Sequence, residues 1–163
     1  SNSCEYDGEK IVKNVRSGGF ILGDEGGGAS LGKRFMADFL KGLVPEPVAS
    51  EFAATYKVDY LTVVNEVYKG VAPARYLGSF APFISRHYDS CEYVKNLIDN
   101  NFRSLFERCL SQYDIKGKHV GVVGGYAYAH KEILERIASE YGVTISEITP
   151  SPIEGLVKYH CGV

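Results

Sequence analysis

A glycine-rich segment near the start of the chain, Gly23-Asp24-Glu25-Gly26-Gly27-Gly28, lies between a strand-like run and a helix-like run. Glycines permit unusual backbone angles and close approach of a ligand, and the first turn of the helix that follows presents free N–H groups. A carboxylate held there could accept hydrogen bonds from sugar hydroxyls or bind a metal through water. Asp24 and Glu25 would also suit the positive end of a helix without any ligand, so spacing alone leaves both interpretations open.

A second glycine turn, Gly124-Gly125, follows the short apolar run that ends at Val123. Such a turn between a strand and a helix often borders a nucleotide. The surrounding residues match neither the G-x-G-x-x-G fingerprint nor a Walker loop. An ordinary tight turn therefore explains the pair equally well.

The elements around the first segment can be predicted from turn and periodicity signals. Asp7-Gly8 separates two short runs between Cys4 and Val15, which predicts a β-hairpin. After the glycine-rich segment, apolar residues recur every four positions and predict one face of a helix; they are Leu31, Phe35, Phe39 and Leu43. Pro45 and Pro47 are expected to end that helix.

The middle of the chain is predicted to be helical. Asp59 is a candidate N-cap for a helix that carries Leu61, Val64 and Tyr68 and ends at Gly70, and Pro73 suits the first position of another helix that Pro82 must kink or shorten. Asp89 and Glu92 have the spacing of a capping box. They precede the longest apolar pattern, which predicts a helix with Val94, Ile98, Phe102, Leu105, Cys109 and Tyr113 on one face.

The last third changes from helical to alternating patterns. A buried strand is predicted from His119 to Val123, a helix around Ile133 to Tyr141, and a second strand from Val143 to Ile148. A strand, a helix and a strand within about thirty residues predict a parallel βαβ unit. A short helix around Leu156 to Tyr159 is expected to follow. The fold class is therefore α/β, with more helices than strands.

Composition fits one ordinary globular domain and excludes several classes of partner. The 163 residues are 45% hydrophobic and carry a net charge of −2. Lys and Arg form no cluster, so neither nucleic acid nor a membrane surface is an expected partner. No apolar run approaches the roughly 20 residues of a membrane span. The four cysteines lie far apart, which predicts small buried side chains in a reducing cytoplasm rather than a metal or redox site.

Several motifs, taken in their order and spacing, resemble one family. They are Ser1-Asn2-Ser3-Cys4, the segment from Gly18 to Gly26 with its Gly-Asp-Glu-Gly core, Gly32-Lys33, the pair Gly124-Gly125, and the closing stretch from Pro152 to Tyr159. The chain resembles the N-acetylglucosamine kinase and BadF/BadG-type ATPase family, within the superfamily of acetate kinase, sugar kinases, Hsp70 and actin. The resemblance covers essentially the whole chain, and Gly-Asp-Glu-Gly is its most specific motif.

The resemblance implies a carboxyl-terminal lobe with a ribonuclease H-like, actin-like ATPase fold, in which several helices flank a mixed sheet. Residues 1–163 would form one domain of a two-lobe kinase whose N-terminal lobe is absent, because the family's second phosphate loop ends in Ser-Asn. A remnant of an expression tag is the alternative explanation of Ser1-Asn2. The implied full-length protein is a cytoplasmic, homodimeric kinase that uses ATP and Mg²⁺ to phosphorylate a sugar, such as N-acetylglucosamine. The fragment alone would be inactive, since the catalytic aspartate belongs to the missing lobe.

The resemblance also implies roles for particular residues, none of them a metal ligand. Ser1 and Asn2 would lie beside the sugar and the phosphates. Asp24 would bind sugar hydroxyls, and Glu25 and Gly26 would shape its loop. On the nucleotide side, the matching residues are the adenosine turn Gly124-Gly125 and, near the base, Tyr126.

One departure leaves the identity of the hexose open. N-acetylglucosamine kinases often carry a tryptophan in a Gly-Gly-Trp-Gly run just before the acidic loop, and Gly18 stands at that position here. Two alternatives to a sugar kinase also remain. One is an ATPase that activates a radical dehydratase through an iron–sulfur cluster, although residues 26–29 lack the cysteines that would hold it. The other is a dimerisation or binding domain without catalysis.

Overall fold

The computed structural model describes residues 1–162, and the chain divides after Leu105 into two compact units. The elements up to the division are β1 (Ser3–Tyr6), β2 (Ile11–Val15), α1 (Gly19–Leu22), α2 (Gly28–Leu40), α3 (Val48–Tyr56), α4 (Tyr60–Tyr68), α5 (Pro73–Gly78), α6 (Ala81–Arg86) and α7 (Glu92–Arg108), which runs through the division. The later elements are a 3₁₀ turn (Leu110–Gln112), β3 (Val120–Val123), α8 (Gly125–Ala129), α9 (Lys131–Glu140), β4 (Ile145–Thr149) and α10 (Ile153–Cys161).

The predicted hairpin is confirmed. β1 pairs with β2 in an antiparallel register that sets Ser3 opposite Val15. Asp7 builds the turn, because its Oδ1 accepts from the backbone N–H groups of Glu9 and Lys10, both at 2.9 Å. Gly8 has a φ of +104°, which explains why glycine follows the aspartate.

The core of the first unit is an aromatic cluster centred on Phe52 of α3. Its ring lies within about 5 Å of the rings around it, mostly edge to face, which is the geometry that aromatic pairs prefer. Those rings belong to Phe35, Phe39, Tyr56, Phe80 and Phe83. The cluster therefore joins α2, α3 and α6, and it fixes α2, the helix that follows the acidic loop.

Helix α2 ends at Leu40, earlier than the prolines suggested. Gly42 adopts a φ of +68°, its N–H donates to the Phe39 carbonyl at 3.0 Å, and the N–H of Leu43 donates to the Asp38 carbonyl at 2.9 Å. These two bonds form a Schellman motif, which closes the helix before a proline is needed. Leu43 therefore lies outside the helix and is exposed.

The N-cap of α4 is confirmed, but its predicted apolar face is wrong. The side chain of Asp59 accepts from the Thr62 N–H at 2.8 Å, and the helix ends just before Gly70. Leu61 is 69% exposed, whereas Val63 is only 4% exposed. A nine-residue helix fits two overlapping periodicities in this sequence, and packing of the helix selects the one that buries Val63.

Loss of the Asp59 cap should lower the melting temperature in a pH-dependent way. The hydrogen bond from Thr62 N–H lowers the pKa of the Asp59 carboxyl below its ordinary value near 4. Its stabilising effect is therefore complete at neutral pH and is lost as the pH falls through the lowered pKa. Asp59→Ala should melt below wild type at pH 7, with the gap narrowing toward about pH 2. Asp59→Asn keeps an acceptor for the Thr62 N–H. A large fall in the melting temperature of that variant at every pH would therefore contradict this explanation.

Helix α7 buries the predicted face but ends at Arg108. Val94, Ile98 and Phe102 are fully buried, whereas the positions of Cys109 and Tyr113 fall after the helix, on either side of the 3₁₀ turn. Pro73 opens α5 as predicted, and Pro82 lies in the first turn of a separate helix, α6. Proline there begins a helix rather than kinking one, since a first-turn N–H has no partner within the helix.

The second unit contains the predicted βαβ arrangement. β3 and β4 pair in parallel, with Val122 opposite Ile148, and α9 buries Leu134 and Ile137. The α/β class is thus confirmed. Residues 1–162 do not form the expected single mixed sheet. Their strands form two separate two-stranded sheets, β1-β2 and β3-β4. A one-domain organisation for residues 1–163 stays a prediction.

The cysteines differ from expectation. Cys4 and Cys161 are exposed and Cys91 and Cys109 are partly buried, so the prediction of buried cysteine side chains is wrong. Each lies at or near the end of its strand or helix, where the core does not cover it. Within residues 1–162, no helix combines the length and the apolar character that a membrane crossing demands.

Candidate functional site

The acidic loop turns sharply at Asp24, which has a φ of +62° and is one of two non-glycine residues in the left-handed region among residues 1–162. Gly26 follows with a φ of +72°, and the Gly27 N–H donates to the Asp24 carbonyl at 3.0 Å. Aspartate tolerates this conformation better than most residues because its short polar side chain can bond locally. Gly27 then caps α2, so the turn leads directly into the free N–H groups of that helix.

The two neighbouring carboxylates have different environments. The Asp24 side chain is 20% exposed, whereas Glu25 is 8% exposed overall. Of the two carboxylates, only that of Asp24 therefore reaches the surface of this unit, where it could accept hydrogen bonds from a ligand. Glu25 is enclosed and belongs to the loop itself, and the shaping role that the family resemblance implied for it stays a prediction.

Ser1 lies against this loop, and the role beside the sugar and the phosphates that the resemblance implied for it stays a prediction. Its Oγ donates to the Glu25 carbonyl at 2.7 Å, and its backbone nitrogen contacts the Asp24 carboxylate. Asn2 instead faces the hairpin, where its Oδ1 accepts from the Ser3 N–H at 3.0 Å and from Asn14 Nδ2 at 3.1 Å. The structure thus brings Ser1, Asp24, Glu25 and Gly26 together and gives Asn2 a role in holding β1 to β2.

The segment before the acidic loop is folded back on itself. The Gly23 N–H donates to the Gly19 carbonyl at 2.9 Å, and a Cβ on Gly18 would lie 2.7 Å from the Leu22 carbonyl carbon. No side chain fits at Gly18 in this conformation. A tryptophan at that position would need a different loop, so the departure seen in the sequence has a structural counterpart.

Lys33 of α2 holds this segment in place. Its Nζ donates to the carbonyl of Phe20 at 2.7 Å and to that of Ile21 at 3.1 Å, near the end of α1. A cation at the C-terminal carbonyls of a helix satisfies acceptors that have no partner within the helix. Gly32-Lys33, which the sequence offered only as part of a family pattern, therefore has a physical role in positioning residues 18–23.

Removing that ammonium group should loosen the segment without unfolding the unit. In Lys33→Met, we expect faster hydrogen exchange at the Gly23 N–H and earlier proteolytic cleavage within residues 17–23, because two carbonyls lose their donor. Exchange in α2 and α3 should stay at the wild-type rate. Lys41→Met removes an exposed lysine beyond the same helix and serves as the control. Equal exchange at Gly23 in both variants would show that Lys33 does not hold the segment.

The second glycine turn connects β3 to α8. Gly124 has a φ of +151° and a ψ of 141°, and its N–H donates to the Thr149 carbonyl at 2.8 Å. The bond extends the β3-β4 pairing by one residue before the chain turns. A Cβ on Gly124 or Gly125 would touch nothing closer than 4.0 Å. Backbone conformation requires glycine at Gly124, and the open space beside both residues leaves room for another molecule.

Tyr126 packs within its own turn. Its ring lies 4.4 Å from the ring of His130, and its carbonyl lies 2.8 Å from His130 Nδ1. Burial lowers the pKa of the His130 imidazole, and the hydrogen bond to Tyr126 opposes that shift. His130 is therefore a neutral structural partner at pH 7, and Tyr126 is half-buried against it. Gly124, Gly125 and Tyr126 lie together in the second unit, whereas the acidic loop belongs to the first.

Comparison with solved structures shows what the chain is similar to. It matches the putative N-acetylglucosamine kinase from Porphyromonas gingivalis with 35% sequence identity and a TM-score of 0.92. The match covers 99% of this chain and 56% of that protein, so the chain spans little more than half the length of that kinase. No protein-family model and no curated protein matches the chain.

Proposed function

We propose that the full-length protein is an ATP-dependent sugar kinase. The premise is the resemblance of this chain to the N-acetylglucosamine kinase family, which is confirmed by 35% identity to the Porphyromonas gingivalis structure over 99% of the chain. The first candidate substrate is an amino sugar such as N-acetylglucosamine. The chain would form the carboxyl-terminal, ribonuclease H-like lobe, and a second lobe would complete the enzyme. A homodimer stays a prediction.

The observation that carries this proposal is the partly exposed carboxylate of Asp24 on a tightly folded glycine loop. A carboxylate accepts hydrogen bonds from neighbouring hydroxyls, and such charge-assisted bonds are about twice as strong as neutral ones. Asp24 would orient the sugar in this way, and its positive φ sets the direction in which its carboxylate points. Ser1, whose hydroxyl already donates to Glu25, would lie on the phosphate side of the same loop.

The nucleotide side of the proposal depends on the second unit. Gly124 and Gly125 would let adenosine approach the backbone, since neither carries a side chain and both border open space. Tyr126 would lie near the base, with His130 fixing its ring. Sugar kinases need both substrates held in line, because positioning and charge stabilisation supply most of the catalysis of phosphoryl transfer.

Two parts of the chemistry are assigned to no residue of this chain. The general base that removes the hydroxyl proton is expected in the other lobe. Within residues 1–162, the structure contains no group of three His, Cys, Asp or Glu side chains that could hold a metal ion. Magnesium is commonly bound through substrate phosphates with only one or two carboxylates. It would therefore arrive with ATP, whose phosphate charge it neutralises.

A panel of hexoses and amino sugars tests the proposed function. Full-length protein should consume ATP rapidly with one sugar and slowly with none, and the 163-residue chain should be silent throughout. Turnover that ignores the sugar would instead indicate an ATPase, and iron–sulfur absorbance in the same protein would assign it to the activator class. Complete inactivity against the whole panel would overturn the proposal in favour of a binding domain.

A further inference from the structure

One polar side chain reaches the acidic loop from a distant part of the sequence. Asn101 lies on α7, is 0% exposed, and donates through Nδ2 to the Gly27 carbonyl at 3.1 Å. Gly27 in turn closes the turn at Asp24, because its N–H donates to the Asp24 carbonyl. Asn101 is thus two hydrogen bonds away from the residue that carries the proposed sugar contact.

A second residue of α7 supports the same loop. A Cβ on Gly26 would lie 3.0 Å from the Leu105 side chain, so this turn rests directly on the helix. Leu105 follows Asn101 by four residues, which places both side chains on one face of α7. Gly26 and Gly27 therefore lie against that face of the helix.

Fold stability alone does not explain an asparagine at this position. The Gly27 carbonyl also accepts from the Leu31 N–H at 3.1 Å, so it would keep a partner without Asn101. Within residues 1–162, the buried Oδ1 of Asn101 has no hydrogen-bond partner. Burying an unpaired oxygen is unfavourable, and an apolar side chain of similar size would avoid it. A buried polar side chain with an unpaired atom therefore needs a reason other than fold stability, and its bond to the Gly27 carbonyl supplies one.

We propose that Asn101 is a positioning residue for sugar binding, which fixes the Gly27 carbonyl and thereby the direction of the Asp24 carboxylate. The inference rests on the proposed function for its consequence in catalysis, but the effect of Asn101 on the stability of the loop can be measured separately. Asn101 touches neither substrate in this account. Its effect reaches the sugar only through Gly27 and Asp24.

The first test measures the loop itself by hydrogen exchange in the 163-residue chain. Asn101→Leu removes the donor together with the unpaired oxygen, and it should speed exchange at residues 24–28 about three- to tenfold while the rest of the unit keeps its rates. The matched control is Asn100→Leu, one residue earlier on the exposed side of the same helix. Unchanged loop exchange, or equal acceleration throughout the unit, would overturn the inference. If Asn101→Leu does not fold, Asn101→Ser removes the reach to Gly27 with a smaller side chain.

The second test measures kinetics in the full-length protein. Asn101→Leu should raise KM for the sugar about three- to tenfold and leave KM for ATP at its wild-type value, since one hydrogen bond is lost on the sugar side alone. If Asn101 had a purely structural role, the substitution would impair kinetics with the sugar and with ATP together. A loosened loop with an unchanged KM for the sugar would overturn the positioning role of Asn101 in sugar binding, while the contact from Asn101 to the loop would stand.

Discussion

Asp24→Asn in the full-length protein is expected to lower kcat/KM for the sugar by about a hundredfold. A hydrogen bond to a charged acceptor contributes about 1.5–3 kcal/mol, and each 1.4 kcal/mol is a factor of ten. Asparagine is the informative substitution because it also tolerates the left-handed conformation of Asp24, so the loop keeps its shape. KM for ATP should not change. The measurement is steady-state kinetics with the sugar varied at saturating ATP.

The control for this experiment is Asp89→Asn, which makes the same chemical change at an exposed position of the same unit. It should retain wild-type kinetics. If Asp24→Asn also retains wild-type kcat and KM for the sugar, then Asp24 has no part in sugar binding. If Asp24→Asn also lowers the melting temperature substantially, its loss of activity would reflect a damaged loop and would count against a direct contact with the sugar.

Gly32→Ala is expected to cause the largest loss of stability in the first unit. Gly32 lies where α2 crosses α5, and a Cβ there would overlap the Leu77 carbonyl oxygen. The obstacle is backbone rather than a flexible side chain, so the two helices must separate. Overpacking of this kind costs about 3 kcal/mol, and at this chain length the melting temperature should fall by roughly 6–12 °C. Thermal unfolding followed by circular dichroism measures the change.

Gly78→Ala is the matched control, since Gly78 lies on the opposite helix at the same crossing. A Cβ there would meet its nearest atom, the Ala29 nitrogen, at 3.6 Å, which is an ordinary contact. The variant should melt within about 2 °C of wild type. If the two alanine variants melt together, the helices do not cross as closely as the structure has them.

Much of the fold could be predicted from local signals, because those signals act within a few residues. Asp7-Gly8 requires a turn whatever surrounds it, and Asp59 caps α4 by bonding three residues ahead. Predictions failed where packing between elements decides. The exposed Leu61 and the buried Val63 illustrate this, since only contact with the rest of the unit selects one face of α4.

The acidic loop was visible in the sequence, but its supports were not. Glycines around Asp24 indicated a special backbone, whereas the sign of φ at Asp24 depends on contacts that the sequence does not display. Asn101 did leave a signal, because it falls three residues after Ile98 on the apolar face of α7. A polar residue on a buried face suggests a specific partner, but only the structure identifies that partner as Gly27.

We propose that the full-length protein transfers phosphate to a sugar rather than to water. The most direct measurement compares the phosphosugar and the ADP formed from ATP and N-acetylglucosamine, both quantified in the same reaction by chromatography and mass spectrometry. Equal amounts of the two products are expected, with little ADP when sugar is omitted. ADP released with free phosphate and without phosphosugar, for N-acetylglucosamine and for every other sugar tried, would contradict it.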